Sequence, residues 1–404
     1  VYTLKILNMS QTDNTYKLSV KGIENTKWHG KQEVTVKAAT VFTLPISISV
    51  DPYELKGYMS DITFVVEQTS AESETLMASF DFSALSPDLI IDGLESAGFS
   101  VDSGLLALNS YENRVYQFHD DNLVKYVTKF YRPQRWQLAQ INEEHDFSFE
   151  LAEQELPIVA PLNINGQSLF EHQGYHFAVF PCRGGRIFEV DNLNQLEWMG
   201  RFIARIHSVS SQKEFHHRPS FNSDELLLQA RESIIASNYV PKSLTTPFFT
   251  ILDQVIDVAT EQYLPAQGMQ QIRLHGDCHA GNILWRDEGP HFVDLDDCRT
   301  GPAIQDLWMM LSGDRQQQLL QLDTLLMGYE EFFTFENDQL LLIESLRTMR
   351  VVNYMAWLCK RWHDPAFPQN FPWFNTEKYW EQQILMLKEQ MSALQQPALS
   401  LNNF

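Results

Sequence analysis

The stretch Leu274-His275-Gly276-Asp277-Cys278-His279-Ala280-Gly281-Asn282, followed by Phe292-Val293-Asp294-Leu295-Asp296-Asp297, constrains this chain more than any other part of it. An acid, an amide shortly after it, and a second acid at the end of a short apolar segment work together only if the fold returns all three to one place. Phosphoryl transfer needs such a set: one carboxylate to orient the attacking hydroxyl, and an amide plus a second carboxylate to hold a metal on the nucleotide. Asp277, Asn282 and Asp294 supply those groups in that order.

The length of 404 residues exceeds what a single hydrophobic core usually spans, so at least two domains are expected. With 44% hydrophobic and 20% charged residues the chain can bury a sizeable core. A formal net charge of -22 argues against nucleic acid or an anionic membrane as partner, since both demand clustered Lys and Arg. A neutral or cationic phosphoryl acceptor fits that balance better. Cys182, Cys278, Cys298 and Cys359 are far apart and form no Cys-x-x-Cys pair, which points away from zinc knuckles and disulfides and toward a reducing compartment. No run of apolar residues is long enough for a membrane span. The start, Val1 to Ile6, alternates like a strand rather than a signal peptide, and lacks Met, so a fragment with its upstream part missing is expected.

From Val1 to about Ala78 the pattern has a period of two: Tyr2, Leu4, Ile6; Tyr16, Leu18, Val20; Val34, Val36; Ile46, Ile48, Val50; Ile62, Phe64, Val66. Turn residues such as Asp13-Asn14 and Asp51-Pro52 separate the runs, predicting a small β-sandwich over residues 1–76. TLKILNMSQTDNTYKLSVKGI and TLPISISVDPYELKGYMSDITFVVE resemble the C-terminal immunoglobulin-like domain of cytochrome oxidase accessory proteins, a domain expected outside the inner membrane. No catalytic constellation is visible there. The polar stretch around Thr69 to Glu74 reads as a boundary, produced either by a natural gene fusion or by the recorded reading frame.

Residues 77–182 read as a small β-rich lobe and residues 183–404 as a large helical one. Pro87 to Gly98 fits a short helix. Asn109 to Asn113 links two strands where a kinase covers nucleotide phosphates; it lacks the usual glycines, and Ser110 offers a hydroxyl and an N–H to phosphate, an ordinary hairpin turn being the alternative. In the next strand Lys129, within Val127-Thr128-Lys129-Phe130, is the candidate phosphate lysine, with Lys125 the alternative. The helix from Trp136 to Glu155 carries Glu144 on the face of Ile141, Phe147 and Leu151, where it can pair with Lys129; Glu143 and Glu153 read as exposed charges. Pro181 to Gly185 reads as a hinge, and His207 as a helix-end or core histidine.

Zinc would require three or four convergent N or S ligands, whereas Asn282 and Asp294 suit magnesium, which prefers oxygen and substrate phosphate. Asp277 is then the base or positioning group for the acceptor hydroxyl, His275 a brace for the loop backbone with a base role as its alternative, and Asp306 a buried acceptor for that same backbone. Asp296 and Asp297 stand close behind Asp294, and three crowded acids call for a divalent cation or Arg, which favours a metal site.

LHGDCHAGNILWRDEGPHFVDLDDCRTGPAIQDLW, with LNSYENRVYQF, VTKFYRPQRW and WHDPAFPQNFPW, resembles the bacterial stress response kinase A family, within the aminoglycoside and choline phosphotransferase group, over residues 77–404. The resemblance implies an α+β, two-lobed protein-kinase-like fold behind the immunoglobulin-like module. It also implies ATP and Mg2+ as cofactors and phosphorylation of protein Ser or Thr, itself included, in cytoplasmic stress responses; a monomer is expected. By matching motif, Asp277 is the proton acceptor, Asn282 and Asp294 bind magnesium, Asp294 counting also as catalytic, and Ser110 belongs to the nucleotide loop; Lys129 and Glu144, read above from strand and helix, complete the cofactor-binding set. The chain has no D-F-G and no A-P-E segment, so a small hydroxylated acceptor stays open, as does a silent nucleotide-binding scaffold.

Overall fold

The computed structural model describes residues 2–8, 14–21, 27–37, 40–49, 63–68 and 81–401. Two compact units, Val1–Ser79 and Phe80–Phe404, are each described by themselves. The boundary expected at residues 76/77 lies outside the described residues.

In the first unit β1 (Tyr2–Asn8), β5 (Thr40–Ser49) and β3 (Lys27–His29) form one antiparallel sheet, ordered β1-β5-β3. Strands β4 (Glu33–Val36), β2 (Asn14–Lys21) and β6 (Thr63–Gln68) form the other, ordered β4-β2-β6. Alternation puts Leu18, Val34 and Val36 of one sheet and Leu44 and Ile46 of the other into one small core, as a two-layer sandwich requires.

The second unit opens with α1 (Pro87–Ser96), whose Ser86 hydroxyl caps Leu89 N–H and whose Pro87 fits the first turn. A five-stranded antiparallel sheet follows, ordered β10-β11-β9-β8-β7. Its strands are β7 (Leu106–Ala107), β8 (Arg114–His119), β9 (Lys125–Phe130), β10 (Phe170–His172) and β11 (Tyr175–Pro181). Phe130 and Phe177 stack at 4.8 Å beneath it. Helix α2 (Leu138–Glu153) intervenes between β9 and β10, with Ile141, Glu144, Phe147, Ser148 and Leu151 buried along one stripe.

After Pro181 the chain crosses through Cys182 to Gly185 into β12 (Arg186–Ile187), then α3 (Leu193–Ser210), α4 (Ser223–Ser237) and α5 (Thr245–Tyr263). The site region consists of β13 (Ile272–Leu274), β14 (Ile283–Arg286), β15 (Gly289–Phe292) and β16 (Arg299–Gly301). Helices α6 (Gln305–Trp308), α7 (Arg315–Tyr329), α8 (Ile343–Arg361), α9 (Ala366–Asn370) and α10 (Glu377–Leu394) complete the helical lobe. Helices α3 and α7 approach so closely at Gly200 and Gly328 that a Cβ at either would strike the carbonyl of Leu325 or of Glu197. That approach lets His207 of α3 bond Tyr329 Oη at 2.7 Å, so His207 is a core residue. No described helix is long and apolar enough to cross a membrane.

Candidate active site

Two short antiparallel pairings bring the predicted acids and amide together. β13 pairs with β16, Leu274 facing Arg299, and β14 pairs with β15, Ile283 facing Phe292. The second register sets Asn282 beside Val293, whose N–H donates to the Asn282 carbonyl at 3.0 Å. Asp294 follows in the left-handed region (φ 62°), uncommon for a residue with a Cβ, and this backbone turns its carboxylate into the cleft.

The loop between β13 and β14 is braced from below. Buried Asp306 accepts from His275 N–H (2.8 Å) through Oδ2 and from Gly276 N–H (2.9 Å) through Oδ1, and its Oδ2 also meets His207 Nε2 at 3.2 Å. Gly276 has φ +85°, and a Cβ there would strike the Asp297 carbonyl. His275 Nδ1 accepts from Asp277 N–H at 3.4 Å, so its Nε2 carries the proton that it donates to Val293 O at 3.0 Å. These contacts present Asp277 at the loop tip. Asn282 Nδ2 donates to the Asp277 carbonyl at 3.0 Å, which leaves its Oδ1 as an oxygen donor for a cation. Burial would raise the Asp277 carboxyl, but a hydrogen bond from His279 Nε2 (3.3 Å) and the guanidinium of Arg350 hold it well below the usual carboxylate range.

Lys129 is buried in β9, while Lys125 is exposed at the strand's start. Its Nζ lies 2.8 Å from Glu144 Oε1 and 3.4 Å from both Asp294 Oδ1 and Asp296 Oδ1. Burial works against the ammonium, yet Glu144 and the neighbouring acids keep it charged, well above an ordinary lysine. The other oxygen of Glu144 takes Arg218 Nη2 at 2.8 Å. Glu143, read from the sequence as an exposed charge, instead accepts from the backbone N–H groups of His216, His217 and Arg218, anchoring the segment that delivers Arg218.

Of the two ways to neutralise the crowded acids, a divalent cation or Arg, arginines serve Asp296 and Asp297. Asp296 is buried, with Oδ2 at 2.5 Å from Arg135 Nη1. Asp297 Oδ1 lies 2.8 Å from Arg135 Nη2 and 3.0 Å from Arg299 Nη2. Asp294 is left as the acid open to the cleft, its carboxyl raised by enclosure and by Asp296 and Asp297 against the pull of Lys129. An amide oxygen and one accessible carboxylate form an oxygen-only pair that fits magnesium, which takes few protein ligands when phosphates supply others.

The loop between β7 and β8 behaves differently from a free phosphate-covering hairpin. Ser110 N–H is engaged by the Leu108 carbonyl at 2.8 Å, leaving its hydroxyl alone for a ligand. Asn113 is buried and accepts from Arg132 N–H at 3.0 Å. Glu112 takes Arg361 Nη2 and Trp357 Nε1, both at 2.6 Å, so α8 holds the loop from the opposite lobe. Arg114 and Arg132 both reach Asp364, just beyond α8. Sequence reasoning missed Arg350, Arg218, Arg135, Asn113 and Asp364.

This geometry suits moving a phosphoryl group onto a hydroxyl, and the chain belongs to the phosphotransferase enzyme family, whose model matches residues 105–341. Within it, stress response kinase A of Escherichia coli O157:H7 is 50% identical over 324 residues, covering 80% of this chain and 98% of that one. The serine/threonine protein kinase RdoA of Salmonella typhimurium (strain LT2) is 49% identical over 323 residues, with the same coverage. Residues 1–84 match a model described as an IG-like fold at the C-terminal of FixG, a putative oxidoreductase. Among solved structures, an amicoumacin kinase in complex with AMP-PNP, Ca2+ and Ami superposes with TM-score 0.61 at 16% identity, covering 78% of this chain and 95% of that one. A microcompartment-associated aminopropanol kinase gives 0.57 at 18%, covering 76% and 98%. Likeness at such identities establishes the two-lobed fold.

Proposed function

We propose that this chain transfers the γ-phosphoryl group of ATP to Ser or Thr hydroxyls of proteins, itself included, in a cytoplasmic stress response. The observation that carries the reading is the single ammonium of Lys129, placed at once on Glu144 and beside Asp294. Glu144 fixes Lys129 where it can meet the α- and β-phosphates, and the Ser110 hydroxyl in the β7–β8 loop faces the same nucleotide. Asn282 Oδ1 and Asp294 would hold Mg2+, which when bound neutralises charge on the phosphates. Asp277 orients the acceptor hydroxyl. The bond from acceptor oxygen to γ-phosphorus forms as the bond to the β,γ-bridging oxygen breaks, ADP departs, and the hydroxyl proton passes to Asp277. The names of the half-identical relatives support a protein acceptor.

Asp277→Asn is expected to lower turnover by about 10²- to 10⁴-fold, the usual worth of a general base, while nucleotide still binds. Asp294→Ala should weaken magnesium-dependent nucleotide binding as well. Labelled ATP incubated with enzyme and cell extract, then resolved into proteins and metabolites, tests the acceptor. Label confined to small molecules would replace the protein-kinase reading by a small-molecule kinase, and full activity of Asp277→Asn would remove the catalytic assignment.

A further inference from the structure

One face of α8 runs the length of the cleft. Arg350, Tyr354, Trp357 and Arg361 recur at helical spacing and so share that face. Its two ends are anchored to the two halves of the site. At one end Arg350 Nη1 bonds Asp277 Oδ1, and at the other Trp357 and Arg361 hold Glu112 of the β7–β8 loop. Tyr354 lies between them, 44% exposed and stacked on Trp357 at 5.6 Å. Arg350 thus lies directly on Asp277, with Tyr354 one turn further along the same face.

Arg350 is unlike the other arginines here. Arg218 is enclosed, and Arg135 and Arg299 are mostly so and spent on Asp296 and Asp297. The Arg350 side chain is 44% exposed, and its bonds among the described residues, to Asp277 and to Met309 Sδ (3.1 Å), both use Nη1. Nη2 and Nε have no hydrogen-bond partner among the described residues, and a guanidinium fork matches a carboxylate or phosphate with two parallel N–H bonds. While it stays on Asp277, it also occupies the oxygen that an acceptor hydroxyl needs.

We propose that Arg350 is the specificity-determining residue of the acceptor site, selecting Ser or Thr hydroxyls that carry a carboxylate beside them, as in an acidic peptide. The acceptor's carboxylate takes the guanidinium fork and draws it from Asp277 Oδ1, which the hydroxyl then occupies. This inference rests on the reading of Asp277 as the base.

The test measures kcat/KM for a Ser peptide flanked by Glu and its Gln-flanked counterpart, with free serine as a third acceptor. The wild type should prefer the Glu peptide by about tenfold, the scale of one charge-assisted hydrogen bond. Arg350→Gln should bring the ratio near one, chiefly through KM; Arg350→Lys should restore part of it; Arg350→Glu should shift preference to a Lys-flanked peptide. Free serine as the best acceptor, with the same loss in Arg350→Gln, would keep the role of Arg350 and assign the carboxylate to a small molecule. An unchanged Glu-to-Gln ratio in Arg350→Gln, or an equal loss on every acceptor, overturns the proposal. Asp277→Asn run alongside separates the failures: an active Asp277→Asn defeats the base assignment, whereas an inactive one with an unchanged ratio in Arg350→Gln defeats this inference alone.

Discussion

Asp306 touches neither the acceptor path nor the nucleotide, yet its replacement should disable the enzyme. Its two oxygens hold two consecutive backbone N–H groups, His275 at 2.8 Å and Gly276 at 2.9 Å, directly ahead of the base. Asp306→Asn retains one acceptor oxygen and turns an amide N–H toward the second donor. A buried N–H then loses a bond to a charged acceptor, costing about 1.5–3 kcal/mol. Asp306→Ala removes both bonds and the His207 contact, and by the same scale costs roughly 3–5 kcal/mol. The effect on turnover follows from geometry. Gly276, held at φ +85° against the Asp297 carbonyl, fixes where Asp277 points. A displacement of about 1 Å at such a group can lower kcat by about 10²-fold. Urea unfolding, kcat at saturating ATP and nucleotide affinity should be measured on both variants. The expected pattern is lower stability and lower kcat with nucleotide affinity nearly retained. An Asp306→Asn variant with wild-type stability and turnover would refute the idea that these bonds set the loop.

Two further outcomes are expected. Glu144→Gln should weaken ATP binding by about tenfold or more, since a charged partner of Lys129 is lost, and Glu144→Ala should destabilise by about 3–5 kcal/mol because buried Lys129 and Arg218 lose their shared carboxylate; nucleotide titration and urea unfolding check this, and unchanged affinity in the Gln variant would contradict it. His145, buried between Tyr131 Oη and Ser168 Oγ, is pushed down to about 3 by burial and by the cations Lys129 and Arg218. Below the ordinary histidine value near 6.5 the unfolded chain binds this proton and the folded one does not, so stability falls as pH drops from about 6.5 toward 3, by up to about 1.4 kcal/mol per pH unit. Unfolding at pH 7 and 5 should show a smaller loss in His145→Gln than in the wild type, and equal losses would contradict the assignment.

The parts of the site visible in the sequence were those fixed by short spacing. Asp277 and Asn282 share one loop, Asp294 ends the next hairpin, and Glu144 sits on an amphipathic helix whose apolar register reveals its facing. The β-rich and helical lobes were legible for the same reason, because period two and period 3.6 are local signals. The arginines were not legible. Arg350 lies 73 positions from Asp277, and Glu112 meets Arg361 across 249, so no local pattern records either contact. The β7–β8 loop lacks the glycines that would mark it in a sequence. Asn113, Glu112 and Tyr111 close it by other means: a buried amide, an ion pair to α8, and an aromatic contact to Phe371 at 4.9 Å.

Net charge is a sum and does not describe the cleft. A total of -22 suggested a neutral or cationic acceptor. Charges on the outer surface are screened beyond about 8 Å at physiological ionic strength, so they contribute little inside a cleft. What an acceptor meets is set by groups within that distance of the base. Asp296 and Asp297 are engaged by Arg135 and Arg299. Asp277 is itself covered by His279 and Arg350. The acids thus hold their charges in pairs, while the Arg350 side chain stays partly exposed. A chain acidic overall can in this way present a cation to its substrate, and the local pairing, rather than the sum, decides which acceptor is favoured.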